Sequence, residues 1–464
     1  MSGIDFVVVI ARCVFAVAFV MNIVPLLIWG ERKGAAYIQD RPGPNRAPLP
    51  LPHPLDTPRV AFQLLFGKSP RFQPYVMVRA AGLVHTLNDV VKLAFKEDIV
   101  PNHVEKFYWF IAPVIAMTIA LCNFIVVPFG DTFLGYPLQV SSLDGGLLFV
   151  LALTSLGVYG IMLAGWSSNN RFSLLGGLRS SAQMVSYELA MGLSAVVVFL
   201  GAGTVSLGEI SAQQAGPIWN WNVFSPFGAL AFILFWVSAF AETNRTPFDL
   251  PEGEAELVAG YHTEYSSFRF ALFFMAEYAN MIVASAVTAT LFFGGYNVPF
   301  LAGDTLRTHA DLLVMLAGFG AVPAFATFAV LALKRRSRPF YQAIPKDDPR
   351  QREPLFFATV WVGAAAAHGG LGLLGALGVI SGPLGFAVNG VPLGPEVVAL
   401  VAQLTALSVK VLIGCWIFIW VRWTLPRFRY DQLMNLGWRY MLPTALVNVF
   451  AAALWIIVKH TWFA

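Results

Sequence analysis

Two glutamates, Glu188 and Glu277, stand inside long apolar runs, where a charge costs at least about 2.5–3.5 kcal/mol and defaults to function. Carboxyls so placed can take up and release protons; alternatively, each completes a buried polar network or pairs with a neighbouring base. A third concentration of acid lies between them in the chain, where residues 242–264 hold Glu242, Asp249, Glu252, Glu254, Glu256 and Glu264 against the single Arg245. Pro251 suits the first position of a new helix, on which Glu252 and Glu256 share a face and Glu254 turns away. A helix dipole explains some acids at its N-terminus. Six exceed that need, and like charges packed together raise one another's pKa, which brings proton uptake toward neutral pH. Arg12 and Lys410 also fall within apolar runs. Arg12 can snorkel to a helix end; Lys410 sits deeper, as either a structural ion pair or a proton-path member.

Equipment for redox chemistry is missing. The cysteines Cys13, Cys122 and Cys415 fall in different apolar runs with no CxxC pair, and neither His85 nor His262 has ligand spacing to another histidine. Neither a Walker loop nor a strand followed by GxGxxG occurs. The expectation is a chain that binds no cofactor and no metal, and that receives any electrons from another chain.

Helices in lipid must position these groups. The chain of 464 residues is 57% apolar and 12% charged, against about 45–50% and 25% in soluble domains. Ten apolar stretches meet or approach the roughly 20 residues that span a bilayer, near 5–29, 107–128, 146–166, 183–206, 226–241, 267–294, 310–333, 356–380, 397–423 and 440–463, the fifth being shortest. The expected fold is all-α, a polytopic transmembrane helical bundle forming a single membrane domain. The first run lacks the basic n-region of a signal peptide and is too long for one, so it reads as a retained helix. Of the 30 Lys and Arg, 24 fall in alternate loops, and only Arg307 and Lys459 lie on the other face. That asymmetry puts both termini in the periplasm of a bacterial inner-membrane protein, and it accounts for the net charge of +4 without a nucleic-acid partner. In the long first cytoplasmic loop, residues 82–98 read as an interfacial amphipathic helix, with Leu83, Leu87, Val90, Val91 and Leu93 apolar.

Four blocks then carry a resemblance. Glu31-Arg32-Lys33 is followed by Arg41-Pro42-Gly43-Pro44-Asn45; Gly165 to Glu188 reads GWSSNNRFSLLGGLRSSAQMVSYE; Ala241 to Asn280 opens AETNRTPFDLPEGE; and Trp420 to Met434 reads WVRWTLPRFRYDQLM. With Lys92–Pro101 they cover roughly a fifth of the chain. In this order they resemble the H-type membrane subunit family of NADH:quinone oxidoreductase, respiratory complex I. The resemblance implies a membrane subunit that couples quinone reduction to proton pumping. It implies quinone as substrate, with FMN and iron–sulfur clusters in partner subunits. Those partners would be peripheral-arm iron–sulfur and quinone-site subunits, small membrane subunits and antiporter-like subunits. It assigns Glu188, Glu277 and the acids of residues 242–264 to a proton path, and Glu31, Arg32, Arg41, Arg46, Asp89, Arg179 and Arg245 to a quinone tunnel.

The chain is longer than the family's usual eight spans. A proline-rich stretch at 47–80 and a segment at 297–396 with two further apolar helices are read as insertions; a pair preserves the orientation of everything after it. Two other functions stay open: a membrane anchor or ion-path subunit of a related hydrogenase, ferredoxin- or deazaflavin-linked complex, and a secondary transporter, which would show internal repeats.

Overall fold

The computed structural model describes residues 3–45, 49–52, 75–78, 80–250, 258–344, 349–382, 387–388 and 391–462. The chain divides into two compact units, one of residues 1–24, 96–314 and 374–464, the other of residues 25–95 and 315–373. The helices are α1 (Gly3–Ile38), α2 (Leu83–Phe95), α3 (Lys106–Cys122), α4 (Gly146–Ser167), α5 (Arg171–Ala202), α6 (Leu207–Gln213), α7 (Gly228–Glu242), α8 (Ser267–Phe292), α9 (Gly303–Thr308), α10 (Ala310–Lys334), α11 (Glu353–Ala376), α12 (Leu393–Thr424), α13 (Tyr430–Asn435) and α14 (Leu442–Trp462). A π-helical turn at Leu436–Met441 joins the last two. Among the described residues nine helices are long and apolar enough to cross a membrane, and α7 is a shorter apolar one. The all-α bundle expected from the ten runs is what forms, with the fifth run indeed the shortest.

In the larger unit α3, α4, α5, α7 and α8 pack in succession, with α12 on α8 and α14 on α5. Small residues let these helices approach at backbone level, as lipid-embedded helices require. A Cβ added to Gly160 of α4 would lie 3.2 Å from Ala116 N of α3, and one on Gly165 would lie 2.5 Å from Ser173 O of α5. Trp109, Tyr187, Tyr278, Phe292 and Phe418 fill the core, fully buried. Strands Thr132–Phe133 and Tyr136–Pro137 form a tight hairpin, turning on Leu134 and Gly135 at φ 50° and 83°, the pattern of a two-residue hairpin loop.

The smaller unit holds the end of α1, all of α2, and most of α10 and α11. Trp29 of α1 faces Phe357 of α11 at 6.2 Å between ring centres. The latter two helices meet where Gly318 has Gly372 N at only 2.4 Å from an ideal Cβ. Of the stretch read as a proline-rich insertion, Leu49–Pro52 pairs antiparallel with Tyr75–Val78, and residues 53–74 lie outside the described residues. The amphipathic helix is shorter than its sequence pattern. It stops at Phe95 because the residues beyond find other partners: Ser267 Oγ donates to Lys96 O at 2.8 Å and Ser266 Oγ accepts from Ile99 N at 3.1 Å.

Candidate functional site

The segment after α7 folds into the protein, burying Thr243, Asn244, Arg245, Thr246 and Asp249. Asn244 takes the left-handed conformation at φ 51°, which its short polar side chain tolerates. Residues of α5 hold the turn from behind. Gln183 Nε2 donates to Ala241 O at 2.7 Å, Phe248 O at 2.9 Å and Asn244 Oδ1 at 3.2 Å, and Asn244 Nδ2 donates to Ser180 Oγ at 3.1 Å. The turn delivers Arg245 to α8, where its Nε lies 2.6 Å from Glu277 Oε1 and its guanidinium stacks 4.3 Å over the Tyr278 ring. Of the two sequence alternatives for Glu277, the neighbouring base is therefore present.

Glu277 lines a cavity of about 40 Å³ together with Thr154, Glu242, Thr243, Asn244, Tyr261 and Asn280. A second cavity of about 30 Å³ shares Thr154, Glu242, Thr243 and Asn280 and runs on past Leu151 and Met191. Glu242 stands where the two meet. Thr154, whose hydroxyl donates to Leu151 O at 3.0 Å, lines both cavities beside the Glu242 carboxyl, and the next hydroxyl along α4, Ser155, donates to Glu188 of α5. Three carboxyls thus follow one another, Glu277, Glu242 and Glu188, with two hydroxyls between the last pair.

Of the remaining acids of 242–264, the described Asp249 and Glu264 have partners of their own. Asp249 meets Arg427 at 2.9 Å, and Glu264 accepts from Asn170 Nδ2 at 2.7 Å; Glu252, Glu254 and Glu256 lie outside the described residues. Burial pushes Asp249 up to about 6, outweighing the opposing pull of Arg427, with Glu277 adding a smaller rise. Its Oδ1, buried with no hydrogen-bond partner among the described residues, shows why desolvation wins. Among the described residues, the like charge acting on Asp249 comes from Glu277 of α8.

His262 is wedged edge-on between Tyr261 and Phe270, with ring centres 4.9 and 5.3 Å away, and burial lowers its pKa to about 4. A histidine kept neutral in the fold contributes stability that is whole above its ordinary value of 6.5 and is lost as pH falls toward 4. His262→Phe is expected to flatten the acid sensitivity of the detergent-purified protein, narrowing the Tm difference between pH 7 and pH 4.5 by a few degrees. An unchanged Tm difference in a thermal-unfolding assay would show that His262 does not set it.

Other sequence candidates take varied places. Arg179 stacks 5.9 Å over the Tyr430 ring. Lys410 does not form the ion pair considered for it among the described residues: its Nζ donates to Gly295 O at 2.8 Å and Asn297 O at 2.7 Å and sits 4.9 Å over Trp221, capping carbonyls beyond α8. Arg12 reaches out to Gln139 O at 3.2 Å, as a snorkelling arginine would.

In the smaller unit Arg32 pairs with Asp89 at 2.5 Å, bracing α1 against α2. Glu31 is 5% exposed, Arg41 is exposed and Arg46 lies outside the described residues. Gly82, at φ 93°, packs so closely on the proline turn that a Cβ there would lie 1.9 Å from Pro44 O, and Trp29 Nε1 donates to Ala81 O at 3.2 Å. Sequence reasoning gave no role to Arg427, Thr154, Ser155 or Asn280. Arg427 and Asn280 did lie in quoted blocks; the hydroxyls of Thr154 and Ser155 carry no local signal.

The model of the NADH dehydrogenase family matches residues 68–342 and 354–453. The chain belongs to that family. Among relatives, an H-type NADH-quinone oxidoreductase subunit of Solibacter usitatus is 40% identical over 95% of this chain and 94% of its own. The H-type NADH-quinone oxidoreductase subunit of Leptospira biflexa is 39% identical over 93% and 90%, and NADH-quinone oxidoreductase subunit 8 of Rhodothermus marinus is 40% identical over 92% and 91%. For this NADH dehydrogenase family chain, Glu188, Arg245, Glu277 and Arg427 all come from the blocks that carried the resemblance.

Proposed function

We propose that the chain is the membrane subunit of a proton-translocating NADH:quinone oxidoreductase, contributing to the quinone tunnel and to the first part of the proton path. Glu242 at the junction of two cavities, with Glu277 on one side and Glu188 beyond Thr154 and Ser155 on the other, is the observation that carries it. Carboxyls, hydroxyls and room for water between them make a relay for protons. The relatives' names as NADH-quinone oxidoreductase subunits favour quinone over the hydrogenase-type and transporter readings.

On this reading quinone takes two electrons from an iron–sulfur cluster of a partner and two protons to become quinol, the electrons having come from NADH through a partner's FMN. Glu31, Arg32, Arg41, Arg46, Asp89, Arg179 and Arg245 are the residues we assign to quinone. The charge change is felt first by Asp249, Arg245 and Glu277, and protons shift through Glu242 to Glu188. The acids at 252, 254, 256 and 264 belong to the same uptake region. The protein lies in a bacterial inner membrane with both termini periplasmic, alongside peripheral-arm, small membrane and antiporter-like subunits. Glu188→Gln, which keeps the bond to Ser155 and abolishes the proton, is expected to lower NADH-driven proton uptake into membrane vesicles several-fold. Wild-type uptake would remove Glu188 from the path. A quinone-site photolabel in the purified complex is expected on this chain.

A further inference from the structure

Glu353, the first residue of α11, is a carboxylate surrounded by donors. Lys33 Nζ lies 2.5 Å from its Oε1 and Asn45 Nδ2 donates to its Oε2 at 2.9 Å; the hydroxyls of Tyr37 and Tyr341 hydrogen-bond it as well. Both members of the ion pair are buried, with side chains 3% and 2% exposed. Lys33 also donates to Pro42 O at 2.8 Å, and Arg335 covers the far face of the cluster, 3.6 Å from the Tyr37 ring centre. The two ends of the turn Pro42–Asn45 are thus tied to one carboxylate more than 300 residues away. A buried ion pair does little for net stability unless its remaining lone pairs and protons are satisfied. Here Pro42 O and Asn45 supply further hydrogen bonds to the pair, so the contact specifies geometry. The thing specified is the turn against which Gly82 packs at the head of α2.

We propose that Glu353 is a positioning residue for quinone entry, holding the Pro42–Asn45 turn through Lys33 and Asn45, and that the helix pair α10–α11 is a working part of quinone access. This rests on the quinone reading above. In the intact complex, Glu353→Gln is expected to raise the KM for a decyl-tailed quinone about tenfold, the scale of losing one hydrogen bond to a buried charge, with kcat within about twofold. Glu353→Asp is expected to restore part of the affinity. Should Glu353→Gln fail to assemble, the double variant Lys33→Met with Glu353→Gln removes both charges and is expected to assemble while keeping the raised KM. Wild-type KM in the assembled single or double variant, beside normal quinone kinetics in the wild type, overturns the role of Glu353 alone. A wild-type complex that reduces no quinone, or carries no photolabel on this chain, overturns both readings.

Discussion

Exchanging Arg245 for methionine is expected to cut quinone-linked NADH oxidation by about two orders of magnitude or more, the scale of taking one partner from a buried ion pair. The guanidinium sits 2.6 Å from Glu277 and is itself 2% exposed, so water cannot replace it. Its loss also removes the stacking on Tyr278. Arg245→Lys keeps a positive charge and loses the planar fork and the stacking, so an intermediate rate is expected. The double variant Arg245→Met with Glu277→Gln is expected to recover the amount of assembled complex, since both charges go together, and to leave pumping abolished. Assembly is read on native gels and pumping with a pH-sensitive dye in vesicles. Near-normal oxidation in Arg245→Met would show that the pair is dispensable.

Glu242→Gln tests the proposed relay where the two cavities share a carboxyl. Glutamine has the same shape and can still stand beside Thr154, but it carries no exchangeable carboxyl proton, and Glu242 alone among the three carboxyls lines both cavities. Proton uptake per electron is expected to fall to background, with the amount of complex unchanged. A shorter carboxyl in Glu242→Asp is expected to restore a measurable fraction. If the glutamine variant pumps at the wild-type ratio, protons take another route.

What the sequence made legible follows physical range. Spans of about 20 apolar residues declare themselves locally, and a carboxyl such as Glu188 stands out inside one. Helix α7, only 15 residues long, was correspondingly the faintest of the ten. Pairings are another matter. Arg245 and Glu277 are 32 positions apart, Asp249 and Arg427 lie on different segments, and Lys33 and Glu353 are separated by 320 residues; no periodicity encodes such meetings. Lys410 shows the same limit: a lysine in an apolar run calls for a partner, yet whether that partner is a carboxylate or a pair of carbonyls depends on how the chain turns at Gly294 and Gly295. Family blocks narrowed the candidates, and tertiary packing chose among them.

The seams at Gly160 and Gly165 have a mechanical consequence. With Ala116 N and Ser173 O already within 3.2 and 2.5 Å of where a first side-chain carbon would stand, α3, α4 and α5 meet backbone to backbone, and a side chain at either glycine would prise them apart. Glu188, Thr154 and Ser155 stand on α4 and α5, so the spacing of the three groups depends on a residue that carries no side chain.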